Sequence, residues 1–212
     1  MIERLQLHNF KSFADDAEPI PLAPVTVLVG ANASGKSNVF DAFRFLQGLG
    51  MGLTVAEILT GKMEGGREVF PALRGGAEEV CWNGEQTFSI RTAGTFLGMD
   101  ACGEPEADVL SLEHNVTCEA KPNPRIQNEL LRGGGLVPID ISPQSLRPAL
   151  DFTGQRSLLA EADAKPAGTG SERVAVGRLL ECYRDVRFLD LHPAEMKRYV
   201  PTAAQKDRKS VV

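Results

Sequence analysis

Gly30-Ala31-Asn32-Ala33-Ser34-Gly35-Lys36-Ser37 follows the spacing G-x-x-x-x-G-K-[ST], and each fixed position answers a need of phosphate binding. The glycines let successive backbone N–H groups turn inward around phosphate oxygens. A helix starting near Gly35 adds unpaired donors and the positive end of its dipole. Lys36 is a compact cation with the reach for β- and γ-phosphates, and the Ser37 hydroxyl suits Mg²⁺. Asn32 is placed to donate toward the γ-phosphate. The candidate set is Gly30, Ala31, Asn32, Ala33, Ser34, Gly35, Lys36, Ser37 and Asn38, with ATP and Mg²⁺ as the cofactors implied and Ser37 as the metal ligand.

Such a loop works only between a strand and a helix. Before it, Val25-Thr26-Val27-Leu28-Val29 is continuous, β-branched and apolar, which predicts a strand buried on both faces, as in parallel sheets. After it, Val39, Phe40, Phe43 and Leu46 recur at helical spacing, and the helix should end near Gly48 or Gly50, where a left-handed cap costs little. Leu5 and Leu7 at period two predict a half-buried strand near a sheet edge.

Further along, short signals predict a helix near Val55 to Leu59, meander strands including Val80 to Trp82 and Thr87 to Arg91, and a strand at Val116 to Ala120. Helices are expected around Ser157 to Ala162 and Glu172 to Tyr183, then a strand near Val186 to Leu191 and a polar, basic tail from Lys197. The fold class is mixed α/β of the P-loop type.

The chain has 212 residues, and 23 basic against 28 acidic side chains leave a net charge of −5. That balance argues against holding nucleic acid by bulk charge, though not against a local basic patch. No apolar run is long enough to span a bilayer and Met1-Ile2-Glu3-Arg4 opens no leader, so a cytoplasmic protein with no membrane partner is expected. Cys81, Cys102, Cys118 and Cys182 stand far apart and read as reduced thiols. His8, His114 and His192 lack metal-ligand spacing, and no G-x-S-x-G elbow occurs. Trp82 reads as a core residue, and Asp15-Asp16 and Glu78-Glu79 as solvated turns.

Asn9-Phe10-Lys11-Ser12-Phe13 after a first strand, followed by Gly30 to Asn38, resembles the N-terminal lobe of ABC-type ATPases of the RecF, SMC and overcoming-lysogenization-defect group. The likeness is nearest to bacterial predicted AAA-family ATPases of that group. Leu73-Arg74-Gly75-Gly76-Ala77-Glu78-Glu79-Val80, Gln155-Arg156-Ser157-Leu158-Leu159 and Tyr183 to Phe188 also look like that subfamily. The resemblance implies two heads that dimerise with ATP between them. It puts Lys11 and Ser12 near the nucleotide, and it makes Gln155 the glutamine that links Mg²⁺ and the attacking water to the helical lobe. Lys36 and Gln155 are then the catalytic candidates.

The family's hydrolytic set also needs a serine-glycine signature, four apolar residues ending in Asp-Glu, and a switch histidine. The chain shows none of them. Val186 to Asp190 is interrupted by Arg187, Leu136 to Asp140 contains Pro138, and Phe152-Thr153-Gly154-Gln155 is only a faint echo of a signature. The resemblance therefore implies a partial head, truncated or split. Residues 1–100 would form a β-rich nucleotide-binding lobe, and residues 101–212 the start of a helical or inserted lobe. Such a chain binds ATP with little turnover until a homodimer or a complementary C-terminal half completes it. DNA is a further candidate partner, and DNA repair, DNA maintenance and phage defence are the expected settings. The rival readings are a complete small P-loop phosphotransferase, against which stand the strand and long loop before Gly30, and a non-catalytic module in which ATP only orders the fold.

Overall fold

A computed structural model describes residues 1–99, 105–135, 138–146, 152–165 and 167–187. In order these residues form β1 (Ile2–His8), β2 (Ile20–Pro21), α1 (Lys36–Gly50), α2 (Val55–Thr60), β3 (Lys62–Glu64), β4 (Arg67–Phe70) and α3 (Gly76–Glu79). There follow β5 (Thr87–Met99), β6 (Pro105–Glu119), β7 (Arg125–Gly134), β8 (Pro138–Ile141), α4 (Pro143–Leu146), α5 (Leu158–Ala164) and α6 (Gly170–Arg184). Six strands make one sheet in the order β2-β1-β5-β6-β7-β8, with β3 and β4 forming a separate hairpin. Every pairing in the large sheet is antiparallel.

Alternation explains which face the sheet buries. Leu5 and Leu7, Phe88 and Ile90, Leu112 and Val116, and Ile126 and Leu131 are buried on the covered face. On the other face Arg91 meets Glu113 at 3.3 Å across the β5–β6 pair. Helices α1 and α6 pack together over the apolar side, joined by α2 and α5. Phe88 anchors the interior, its ring edge-on to Phe10 at 5.3 Å and to Phe45 at 5.2 Å, an arrangement that suits the aromatic quadrupoles.

Most expected elements are present, often longer than the local signal. The Val116 to Ala120 run is the end of a fifteen-residue strand, and Thr87 to Arg91 begins a thirteen-residue one. Pro138 opens β8 at the sheet edge, where a missing N–H is tolerated. Helix α1 ends at Gly50, but its cap is Met51 in a right-handed conformation, with left-handed geometry only at Gly52.

Four expectations are corrected. Val80 to Trp82 is no meander strand: Cys81 makes only an isolated bridge to Phe10, and Trp82 opens a 3₁₀ turn whose Asn83 sits at φ 46°. Val25 to Val29 forms no strand: Val25, Val27 and Val29 are 82%, 76% and 90% exposed. A strand buried on both faces needs flanking strands, and the antiparallel sheet ends at the two-residue β2, whose Pro21 has no N–H to offer. Trp82 is 38% exposed on a short 3₁₀ turn rather than in the core. Its amide donates to Asn9 O, which pins the backbone while the ring faces out. After α6, Val186 and Arg187 are not strand: the Asp185 cap closes the helix, and neither residue pairs with a strand among the described residues. Residues 188–191 of that expected strand, His192, Cys102 and the basic tail lie outside the described residues. Cys81, Cys118 and Cys182 are free thiols. Burial pushes Cys81 up to about 11 and raises the other two.

Candidate functional site

The glycine loop turns as its spacing demands. Gly35 is the N-cap of α1 at φ 90°, and Ala33 also sits in the left-handed region at φ 64°. The φ of 90° requires glycine at position 35, where a Cβ would also lie 3.0 Å from Ser12 Oγ; a Cβ at Gly30 would lie 2.7 Å from Ser34 Oγ, so the serine would have to turn away. The first amides of α1 have no acceptor within the helix. Lys36 lies back across the loop, donating to Gly30 O at 2.7 Å, Ala31 O at 2.5 Å and Ser34 Oγ at 3.2 Å. Ala31, Asn32, Ala33, Ser34 and Ser37 are exposed. Ser34 N donates to Ala31 O at 3.3 Å and Asn38 N to Gly35 O at 2.9 Å; the turn of backbone between them, with a cation folded over it, fits a polyphosphate, and Ser37, in the first turn of α1, offers a hydroxyl to a hard cation.

A second layer of side chains stands against this cradle. Asn38 donates to Ser12 Oγ at 2.8 Å, which ties the Asn9–Phe13 turn to the start of α1. That turn is strained, with Asn9 at φ 51° and Lys11 at φ 54°, and Lys11 N holds it to Val80 O at 2.8 Å. Lys11 Nζ reaches Asp41 Oδ2 at 3.3 Å and donates to Arg74 O. Both side chains of this ion pair are almost wholly buried. Arg74 grips the same carboxylate with Nε and Nη2 and donates to Asn38 Oδ1 at 3.2 Å. Asp41 as acceptor raises the Arg74 pKa above its ordinary value.

The structure thus brings Ser12, Asn38 and the loop together. It places Lys11 one step back, committed to Asp41. Gln155 belongs to another segment: its carbonyl accepts Val55 N at 3.1 Å at the start of α2, and its side chain is exposed. Asp41 and Arg74 were missed as site residues. Their signals were legible, because Asp41 interrupts the apolar periodicity of α1 three residues after Asn38, and Arg74 precedes a Gly-Gly turn. On the other side of α1 a cleft of about 290 Å³, lined by Leu22, Leu28, Phe40 and Phe43, runs to Lys36 and Ser37.

Comparison with known proteins bears on this geometry. Residues 1–57 match the RecF/RecN/SMC N terminal domain. A chromosome partition protein Smc of Clostridium kluyveri is 41% identical over 63 residues, which is 30% of this chain and 5% of that protein. The Smc of Pyrococcus furiosus is 48% identical over 48 residues, 22% of this chain and 4% of its own length. The Smc of Methanocaldococcus jannaschii aligns over 208 residues at 27% identity, covering 90% of this chain and 17% of that one. The chain therefore spans less than a fifth of the length of these relatives. A solved structure described as "Structural biochemistry of ATP-driven dimerization and DNA stimulated activation of SMC ATPases" covers 93% of this chain and 95% of its own at 17% identity. Its TM-score of 0.40 is too low for that overlap to support an inference.

Proposed function

We propose, from the premise that residues 1–57 carry a RecF/RecN/SMC N terminal domain, that this chain binds Mg·ATP as part of a composite ATPase head. Gly30, Asn32, Gly35 and Lys36 hold the phosphates, with the Ala31, Ala33, Ser34 and Asn38 backbone completing the cradle, and Ser37 holds Mg²⁺. Lys36 exchanges its loop carbonyls for phosphate oxygens. Ser12 braces the loop through Asn38. Lys11 and Arg74 add positive charge beside α1, with Asp41 setting their positions. Arg74, anchored on Asp41 and Asn38 with its side chain 56% exposed, is the more accessible of the two to bound phosphate. Gln155 contributes on the Mg²⁺ side.

The observation that carries the composite reading is the exposed Val25–Val29 run beside the cleft of Leu22, Leu28, Phe40 and Phe43. This apolar, β-branched segment has the composition of an interior strand and enters the loop directly. A self-contained phosphotransferase has to bury it. A complementary C-terminal half supplies flanking strands and the acidic pair that polarises water, a pair that a second copy of this chain does not carry. The chain alone therefore binds nucleotide and turns it over little. The relatives are named for chromosome partition, which makes DNA the macromolecule to test once the head is assembled.

Calorimetry with Mg·ATP checks the assignment. Lys36→Ala removes charge-assisted hydrogen bonds, and a loss of affinity on the order of 100-fold is expected. Equal affinity in the wild-type and variant chains would refute it.

A further inference from the structure

Five buried polar side chains form one line of hydrogen bonds on the covered face of the sheet. Thr92 Oγ1 on β5 lies 2.6 Å from the Tyr183 hydroxyl on α6, which lies 2.8 Å from His114 Nδ1 on β6. His114 Nε2 is 3.0 Å from Glu129 Oε1 on β7. Glu129 also accepts Ser157 Oγ at 2.8 Å and the Leu158 amide at 2.5 Å. All five side chains are buried.

The donors fix the Glu129 end of the line. The Leu158 amide can only donate, and the Ser157 hydroxyl donates to Glu129 while its oxygen accepts Ala160 N at 3.3 Å. With Glu129 as acceptor throughout, His114 Nε2 donates to it, and the imidazole's other nitrogen continues the line to the Tyr183 hydroxyl and Thr92. A register shift opposite Thr117 and Cys118 leaves Gln127 as an extra residue of β7. This bulge turns Glu129 inward together with Ile126 and Leu131.

The same stretch of β7 grips the residues just before Ser157. Ile126 N donates to Gly154 O at 2.7 Å. Gly154 has φ 77°, and a Cβ there would stand 2.3 Å from Ile126 O. Gln155 lies between two fixed points, with Gly154 docked on Ile126 behind it and Ser157-Leu158 held by Glu129 ahead. Its own carbonyl is bound to Val55 at the start of α2. The backbone is clamped on three sides while the side chain is exposed.

We infer that Glu129 is a positioning residue for Gln155: its carboxylate locks the 154–158 turn so that the glutamine amide is presented to the Mg²⁺ side of bound nucleotide. The inference rests on the reading of Gln155 given above. A buried carboxylate is kept only when its acceptor capacity is filled, and two of the three donors here belong to the segment that follows Gln155.

The test compares ATP affinity with and without Mg²⁺ for the intact chain by calorimetry, together with hydrogen exchange of the 152–160 segment. Gln155→Ala should cut the Mg²⁺ preference about tenfold, as expected for one hydrogen bond to a charged group. Glu129→Gln should cut it to the same extent, with faster exchange at 154–158 and no further loss in the double variant. Ser157→Ala removes one of the three donors with less risk to folding and should give an intermediate loss. Tyr183→Phe loosens the far end of the line, lowers stability and should leave the preference intact, which separates positioning from general weakening. A wild-type Mg²⁺ preference in both Glu129→Gln and Ser157→Ala, with a loss in Gln155→Ala, overturns the inference alone. A wild-type preference in Gln155→Ala overturns both readings, and faster exchange in Glu129→Gln then marks its clamp as structural only.

Discussion

The two sides of α1 are finished to different degrees. Toward the sheet, Val39, Ala42, Phe45, Leu46 and Leu49 are buried, with Phe45 against Phe88 of β5 and the helix packed on α6, and Thr92, Tyr183 and His114 are paired into a network. Toward the glycine loop, Phe40, Val25, Val27 and Val29 are exposed, and the loop's own lysine bonds the Gly30 and Ala31 carbonyls. The contrast shows that the sheet lobe is stable by its own packing. The phosphate cradle hangs from it by Ser12, Asn38 and the Asp41 ion pairs. Mutations on the two sides should therefore separate stability from binding.

Phe88→Ala attacks the finished side most directly. Loss of a ring packed against Phe10 and Phe45 should destabilise by about 3–5 kcal/mol in urea unfolding; less than 1 kcal/mol would mean the core is looser than its geometry. Asp41→Asn works at the boundary between the sides. It leaves the nearly buried Lys11 ammonium without its counter-ion, so about 3 kcal/mol of stability should go. Nucleotide affinity should fall with it, since Arg74 loses its anchor. Stability lost with unchanged affinity would detach this network from the cradle.

Smaller effects sharpen the same contrast. The Thr54 side chain accepts Glu57 N while Glu57 accepts Thr54 N, capping α2 beside the Gln155 carbonyl. Thr54→Ala should cost about 1 kcal/mol. The backbone bond from Thr54 lowers the Glu57 pKa from its ordinary 4.5. The carboxylate's share is thus present above that value and is lost as pH falls through the depressed folded pKa. Thr54→Ala keeps that backbone bond and removes only the hydroxyl that donates to Glu57 Oε2 at 3.0 Å, so the hydroxyl's share of the difference between wild type and variant should shrink below pH 4.5, as melting curves across that range would show. Val27→Ser should change the stability of the isolated chain by less than about 0.5 kcal/mol, because Val27 is exposed. A cost of 2 kcal/mol or more would mean that Val27 is buried in solution.

What the sequence disclosed follows from how local each signal is. The loop Gly30 to Ser37 and helix α1 carry their information within a few residues. Val25 to Val29 misled for a physical reason. Composition reports what a strand is suited to, and burial depends on neighbours that the described residues do not provide. The Glu129–His114–Tyr183 line was illegible because it joins β5, β6, β7 and α6 across long sequence separations, and the β7 bulge that turns Glu129 inward has no local mark. The Lys11–Asp41–Arg74 cluster was half legible. Its members stood in stretches already singled out, yet only the fold shows that they share one carboxylate.

The central claim is that the backbone from Gly30 to Ser37 encloses the phosphates of ATP. Titrating ¹⁵N-labelled chain with Mg·ATP, while following individual amide resonances, tests it residue by residue. The account predicts that the Gly30–Asn38 amides move most, Ser12 and Arg74 next, and the β6–β7 amides hardly at all. Saturable shifts confined to other residues, with Gly35, Lys36 and Ser37 unmoved at millimolar nucleotide, would contradict it.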